Sequence, residues 1–174
     1  MDNIEFIAHV RKENGEWKIH SLEDHLTAVA ELTGKFSSKF GAGSFGYLIG
    51  LWHDLGKYKE EFQERIGIKS GYDEEAHLEG KTAKSVKHAV SGALLAIEKF
   101  QFGAGQFFAF PIAGHHTGLK DLEDLRISLN EEREIQALST LKESVPVTIL
   151  NPEIQFSKLN FTDKTLFIRM IFSA

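Results

Sequence analysis

The 174-residue sequence contains no cysteine. That removes disulfides, thiolate zinc fingers, iron–sulfur clusters and a cysteine nucleophile, so any metal must be held by nitrogen and oxygen donors. Proline is scarce, with Pro111, Pro146 and Pro152 the only three positions able to interrupt a helix by losing a backbone N–H. No apolar run is long enough to cross a bilayer, and residues 1–10 lack a basic start followed by an apolar stretch. The chain therefore reads as soluble and cytoplasmic, without a membrane partner. Basic residues are also outnumbered: 20 Lys and Arg against 25 Asp and Glu leave a net charge of −5, the opposite of a passive nucleic-acid coat protein. What stands out instead is a set of eight histidines.

Apolar residues recur at three- and four-residue spacing over long stretches, which predicts an all-α fold in a single domain, residues 1–174. Ser21, with Asp24 three residues on, starts a first helix running to about Ser38, with Leu22, Leu26, Val29, Leu32 and Phe36 as its apolar stripe. Gly41 and Gly43 break it. A second helix gathers Tyr47, Leu48, Leu51, Trp52 and Leu55 on one face until Gly56, read as a left-handed stop, so that His53 and Asp54 fall in its last turn. A short helix from about Tyr58 to Ile66 precedes an aperiodic stretch, Gly67 to Lys87, read as a loop. Helical periodicity returns at Val86, with His88 near the start, and closes near Gly103. Gln106 to His116 reads as a buried helix kinked at Pro111. Asp121 to Ser144 has the charge pattern of solvated helices, Val145 to Ile154 is a connector, and Thr162 to Ala174 is a strongly apolar helix.

A lone histidine on a helix is usually a satisfied core residue or a surface one, so the set carries the argument. His25 lies on the stripe of the first helix, His53 and Asp54 end the second, His88 opens another, and His115 and His116 end a fourth among small residues. Five imidazoles and one carboxylate at the ends and inner faces of four helices are the donor inventory of a metal centre inside a helical bundle. This is more than one tetrahedral ion takes, and a carboxylate can bridge two ions through its two oxygens. The expectation is two divalent ions (Mn, Ni, Co, Fe or Mg) with Asp54 between them. The alternative, in which each imidazole caps a helix end or donates to a carbonyl, stays open on composition alone.

The string Leu51, Trp52, His53, Asp54, Leu55, Gly56, Lys57 carries the H-D-x-G-K signature, and the chain thereby resembles the HD phosphohydrolase superfamily. Within it, the chain looks like the HD nuclease domain of the CRISPR-associated helicase-nucleases of type I systems. That resemblance rests on Ala8 to Val10, His20 to Leu26, Gly50 to Lys57 with Phe62 and Gln63, His88 to Ala93, Ala113 to Leu119 and Phe167 to Ala174. It implies an HD-domain helical bundle with the metal site between helices. The ligands would be His25, His53 and Asp54 for one ion, and Asp54, His88, His115 and His116 for the other. His53, Asp54 and Lys57 would be catalytic, Lys57 as a cation near the scissile phosphate; its plain alternative is a solvated helix start. His9 and His20 match family positions without a ligand role.

The same resemblance implies an endo- and exodeoxyribonuclease that hydrolyses single-stranded DNA in antiviral defence. It would be recruited to an RNA-guided surveillance complex, with a helicase region in cis or in trans. In the family the closing helix leads to a further aspartate, so the chain is expected to be a shortened piece of a longer protein, and Asp163 lies too early in that helix to substitute. Lys81, Lys84, Lys87 and Lys99 are the candidate strand contacts, with solvated lysines as the plain alternative; Phe62 and Tyr72 are candidate stacking residues. Bound cations would offset phosphate charge locally, which reconciles the acidic balance with a DNA substrate. Two rivals share these residues. One is an HD-type nucleotide phosphohydrolase or cyclic-nucleotide phosphodiesterase, against which the absence of a Gly-Tyr-Pro tripeptide counts. The other is a catalytically impaired, metal-poor helical docking module.

Overall fold

The computed structural model describes residues 6–70, 88–156 and 163–173. Asn14 and Gly15 have positive φ of 52° and 86°, the pair of left-handed residues that a tight I′-type hairpin turn requires. They join β1 (Ile7–Glu13) to β2 (Glu16–Ser21) in an antiparallel ribbon that sets His9 directly opposite His20. Helical periodicity is blind to this ribbon, although the Asn-Gly dipeptide signals it. The other described elements are helical, so the all-α class holds with one small hairpin added.

Helix α1 (Leu22–Ser37) begins where expected, with Ser21 Oγ accepting from Asp24 N at 3.1 Å. Its buried face runs through Leu22, Leu26, Ala30, Gly34 and Ser37, whereas Leu32 and Phe36 of the expected stripe are 52% and 39% exposed. The cause is close packing on α2 (Gly43–Trp52) through small residues. A Cβ on Gly50 would stand 2.7 Å from Ala30 Cα, and one on Gly46 would stand 2.6 Å from the Thr33 carbonyl oxygen. Small residues contribute little hydropathy, so an apolar-stripe reading passes over the face they make.

Helix α2 stops at Trp52, with His53 as its C-cap, and a short 3₁₀ turn follows at Leu55–Tyr58. Gly56 is no left-handed stop: among the described residues the positive-φ glycines are Gly15, Gly41 and Gly118. It is glycine because the His88 backbone packs on it, where an added Cβ would lie 2.5 Å from His88 Cα. Helix α3 (Glu60–Ser70) comes next. Gln63 ties it to the hairpin, accepting from Ile7 N at 2.9 Å and donating to Ile7 O at 3.1 Å and Lys57 O at 2.6 Å.

Helix α4 (Ala89–Gly114) breaks at Gln101, whose φ of 56° and ψ of 168° reverse the chain two residues before the expected end at Gly103. Pro111 is buried within the second arm, and Gln101 is the point where helical geometry fails. The arms pack back to back, since a Cβ on Gly105 would lie 2.9 Å from Ile97 Cα. This reversal returns His115 and His116 to the level of His88. Helices α5 (Leu122–Leu129), α6 (Glu132–Ser144), α7 (Val147–Leu150) and α8 (Lys164–Phe172) close the fold. Asp163 caps α8, its Oδ1 accepting from Thr165 N and Leu166 N at 2.9 and 3.0 Å. Trp52 anchors the core, with Nε1 donating to Ile149 O at 2.8 Å. On the charged helices Glu134 is buried, 2.6 Å from Lys59 Nζ. No helix among the described residues is long and apolar enough to cross a membrane.

Gly56→Ala should force the His53–Tyr58 segment away from His88 and cost about 1–3 kcal/mol in urea unfolding. A midpoint equal to the parent's would refute the close approach.

Candidate metal centre

The buried carboxylate of Asp54 lies just past the end of α2, and four imidazoles converge on it. Its two oxygens face different groups. Oδ2 is 3.2 Å from His25 Nε2, 3.2 Å from His53 Nε2 and 2.9 Å from Lys57 Nζ. Oδ1 is 3.4 Å from His88 Nε2 and 3.3 Å from His115 Nε2. His116 completes the second group, with Nε2 2.6 Å from that of His88. The donor atoms of His25, His53 and Asp54, and those of Asp54, His88, His115 and His116, each cluster closely enough to hold a metal ion. All six residues named from the sequence thus come together, in the same two groups.

Hydrogen bonding fixes how two of the rings present themselves. His53 Nδ1 donates to Gly50 O at 2.7 Å, and His115 Nδ1 donates to Ile112 O at 2.7 Å. A carbonyl only accepts, so the proton of each neutral ring sits on Nδ1 and the Nε2 lone pair points at Asp54. The carbonyl-bonded alternative is therefore real for these two rings and also orients them as ligands. Lone pairs of His53 and His115 then face carboxylate oxygens at 3.2 and 3.3 Å, which is repulsive unless positive charge sits among them. Asp54 Oδ1 and His115 Nε2 are in contact yet buried without a hydrogen-bond partner. This donor set fits a divalent cation of the borderline first-row type, for which imidazole and carboxylate are ordinary ligands.

Burial works against ionisation of Asp54, whereas the imidazoles of His115, His25 and His53, when charged and donating through Nε2, hold the carboxyl well below the usual carboxylate range. With Nε2 of His53 and His115 deprotonated, that stabilising role falls to a cation. His116 is lowered by burial and by neighbouring His115. Partial loss of water around the His9 ring, then the charges of Lys57 and His25, lower it from 6.5 to about 4, so it is neutral at pH 7.

Lys57 is not a solvated helix start. It is buried in the 3₁₀ turn, with Nζ bonded to Asp54 and 3.3 Å from Ala8 O of β1. The exposed rings of His9 and His20 edge onto His25, with centroids 4.9 and 5.5 Å away, a placement that depends on the unforeseen hairpin. Phe62 is largely buried, its ring edge-on against His88 with centroids 5.1 Å apart. Lys99 bonds the Asn151 side chain and lies eleven residues along α4 from His88, about 16 Å at 1.5 Å per residue. Lys81, Lys84, Lys87, Tyr72 and His77 lie outside the described residues.

The fold and site define a mostly helical protein whose histidine and aspartate side chains can hold a metal ion. No protein-family model and no curated protein matches the chain.

Two outcomes check this centre. Equilibrium dialysis against Mn²⁺ should show fewer ions per chain in a His115→Ala/His116→Ala variant than in the parent; equal stoichiometry would make the pair structural. In metal-free protein, Asp54→Ala strands a buried ammonium and should cost about 3–5 kcal/mol. Asp54→Ala/Lys57→Met should regain most of that loss in urea unfolding.

Proposed function

We propose that the chain is a metal-dependent phosphodiesterase that cuts single-stranded DNA. It would serve as the nuclease of a CRISPR antiviral system, recruited to an RNA-guided surveillance complex and working with a helicase region in cis or in trans. The observation that carries this reading is the division of Asp54, one oxygen toward His25 and His53, the other toward His88 and His115. Such a division suits a pair of divalent ions, of Mn, Ni, Co, Fe or Mg, sharing one carboxylate. The H-D-x-G-K string and the vicinal histidines followed by Thr117, Gly118 and Leu119 support the nuclease branch of the resemblance.

When bound, the ions supply a nucleophile from water at neutral pH and offset charge on the phosphoryl oxygens. The chain's own contribution is orientation. Gly50 O and Ile112 O hold the His53 and His115 rings with Nε2 inward, and Lys57 fixes the rotamer of Asp54 through its 2.9 Å bond. The Lys57 ammonium also places fixed positive charge beside the phosphate position, where burial strengthens it. Asp54 is recessed beneath the imidazoles, which favours a flexible single strand able to bend toward it over a stiff duplex.

Incubation with circular single-stranded DNA across a series of divalent metals should give linear and then shorter products with the parent chain. Asp54→Asn should give none. Turnover of mononucleotides with the circle left intact would transfer the site to a nucleotide phosphohydrolase. Inertness together with an absence of bound metal would leave a docking module.

A further inference from the structure

The composition is acidic, yet one cleft of the molecule is the reverse. A hollow of about 440 Å³ opens beside the centre between β1, α3 and the start of α4, and no carboxylate is among the described residues that line it. Its polar lining is His9, Lys57, Arg65, His88 and His116, with Phe62 as part of the wall. Four of these are already committed. Lys57 is bonded to Asp54, His88 and His116 contact each other within the ligand group, and the His9 ring packs on His25. Arg65 differs: it is half-buried on α3 and has no ion-pair partner among the described residues. It follows Phe62 by three residues, so it lies on the same helix face, about one turn beyond the ring that touches His88.

We propose that Arg65 is a specificity-determining contact that grips a phosphate next to the scissile one, so that the cleft takes a polynucleotide chain in preference to a mononucleotide. This rests on the phosphodiesterase reading above. A guanidinium is the side chain suited to the task, since its planar fork pairs two phosphate oxygens at once and stays charged at any working pH. The placement is also selective. A mononucleotide whose phosphate occupies the centre presents nothing one helix turn away, whereas a strand presents its next phosphate there.

The test uses the full chain and a fluorescein-labelled ten-nucleotide oligo(dT), with binding followed by anisotropy in EDTA over a range of KCl concentrations. Arg65→Ala should weaken binding at least tenfold and flatten the slope of log K against log salt by about 0.7, the contribution of one phosphate contact on a single strand. Arg65→Lys should restore the slope, because it restores the charge, while recovering only part of the affinity. With Mn²⁺ present, the ratio of kcat/KM for the oligonucleotide to that for bis(4-nitrophenyl) phosphate should fall at least tenfold in Arg65→Ala. An unchanged slope and an unchanged ratio would overturn the role of Arg65. Failure of the parent chain to hydrolyse bis(4-nitrophenyl) phosphate, with the slope change intact, would overturn the phosphodiesterase reading and leave Arg65 as a strand-binding residue.

Discussion

A carboxylate buried to 3% exposure is costly unless positive charge surrounds it, and the fold is arranged around meeting that demand at Asp54. The partners come from widely separated parts of the chain. His25 is delivered by α1, His53 by the end of α2, Lys57 by the 3₁₀ turn, His88 by the start of α4 and His115 by its end. The hairpin joins through Ala8 O, which holds the far side of the Lys57 ammonium. Lys57 supplies one full charge. The inward lone pairs of His53 and His115 add to the negative side of the balance, which is why the group as a whole suits a further cation.

Convergence of so many backbones on one side chain requires them to approach closely, and the glycines near the centre make this possible. A Cβ at Gly56 would enter the His88 backbone, and one at Gly92 would lie 2.8 Å from the carbonyl carbon of Trp52, the residue before His53. The glycine of the H-D-x-G-K string is therefore explained by packing of the ligand-bearing segments on each other. The reversal at Gln101 has a comparable role. A non-glycine residue at φ 56°, ψ 168° is strained, and the packed arms on either side, with Phe100 stacked on Phe108 at 4.8 Å, hold it there. Without that reversal, α4 could not contribute ligands from both of its ends.

The donors were legible in the sequence because metal-binding chemistry is written in residue type: histidine and aspartate at helix ends are conspicuous among apolar neighbours. The start of α1 is legible through its cap, Ser21, whereas Asp163, which the sequence reading places inside the closing helix, is the N-cap of α8. What escaped was whatever depends on chain reversal or on small residues. The Asn14–Gly15 turn lies outside helical periodicity, and with it went the positions of His9 and His20. Gln101 carries no turn signal of its own. The true face of α1, through Ala30 and Gly34, is invisible to hydropathy, and Leu32 and Phe36 were assigned inward in its place. Lys57 and Arg65 look alike as charges in a sequence, and only burial separates a cation spent on Asp54 from one available to a ligand.

That last distinction changes how the net charge of −5 bears on function. Long-range attraction of a polyanion depends on summed surface charge and is screened within about 8 Å at physiological salt. The phosphates of a seated strand, on the proposed function, would respond to groups nearer than that. Among the described residues those groups are a hollow without lining carboxylates, the Arg65 guanidinium and, when a metal ion is bound, the centre itself. For the DNA substrate proposed above, a net negative charge with a cationic recess would give slow, salt-sensitive association but firm local seating. The acidic surface also disfavours loose binding of DNA elsewhere on the molecule. On the proposed reading of a nuclease delivered to its target by a partner, weak capture of free DNA would keep cleavage confined to the place of delivery.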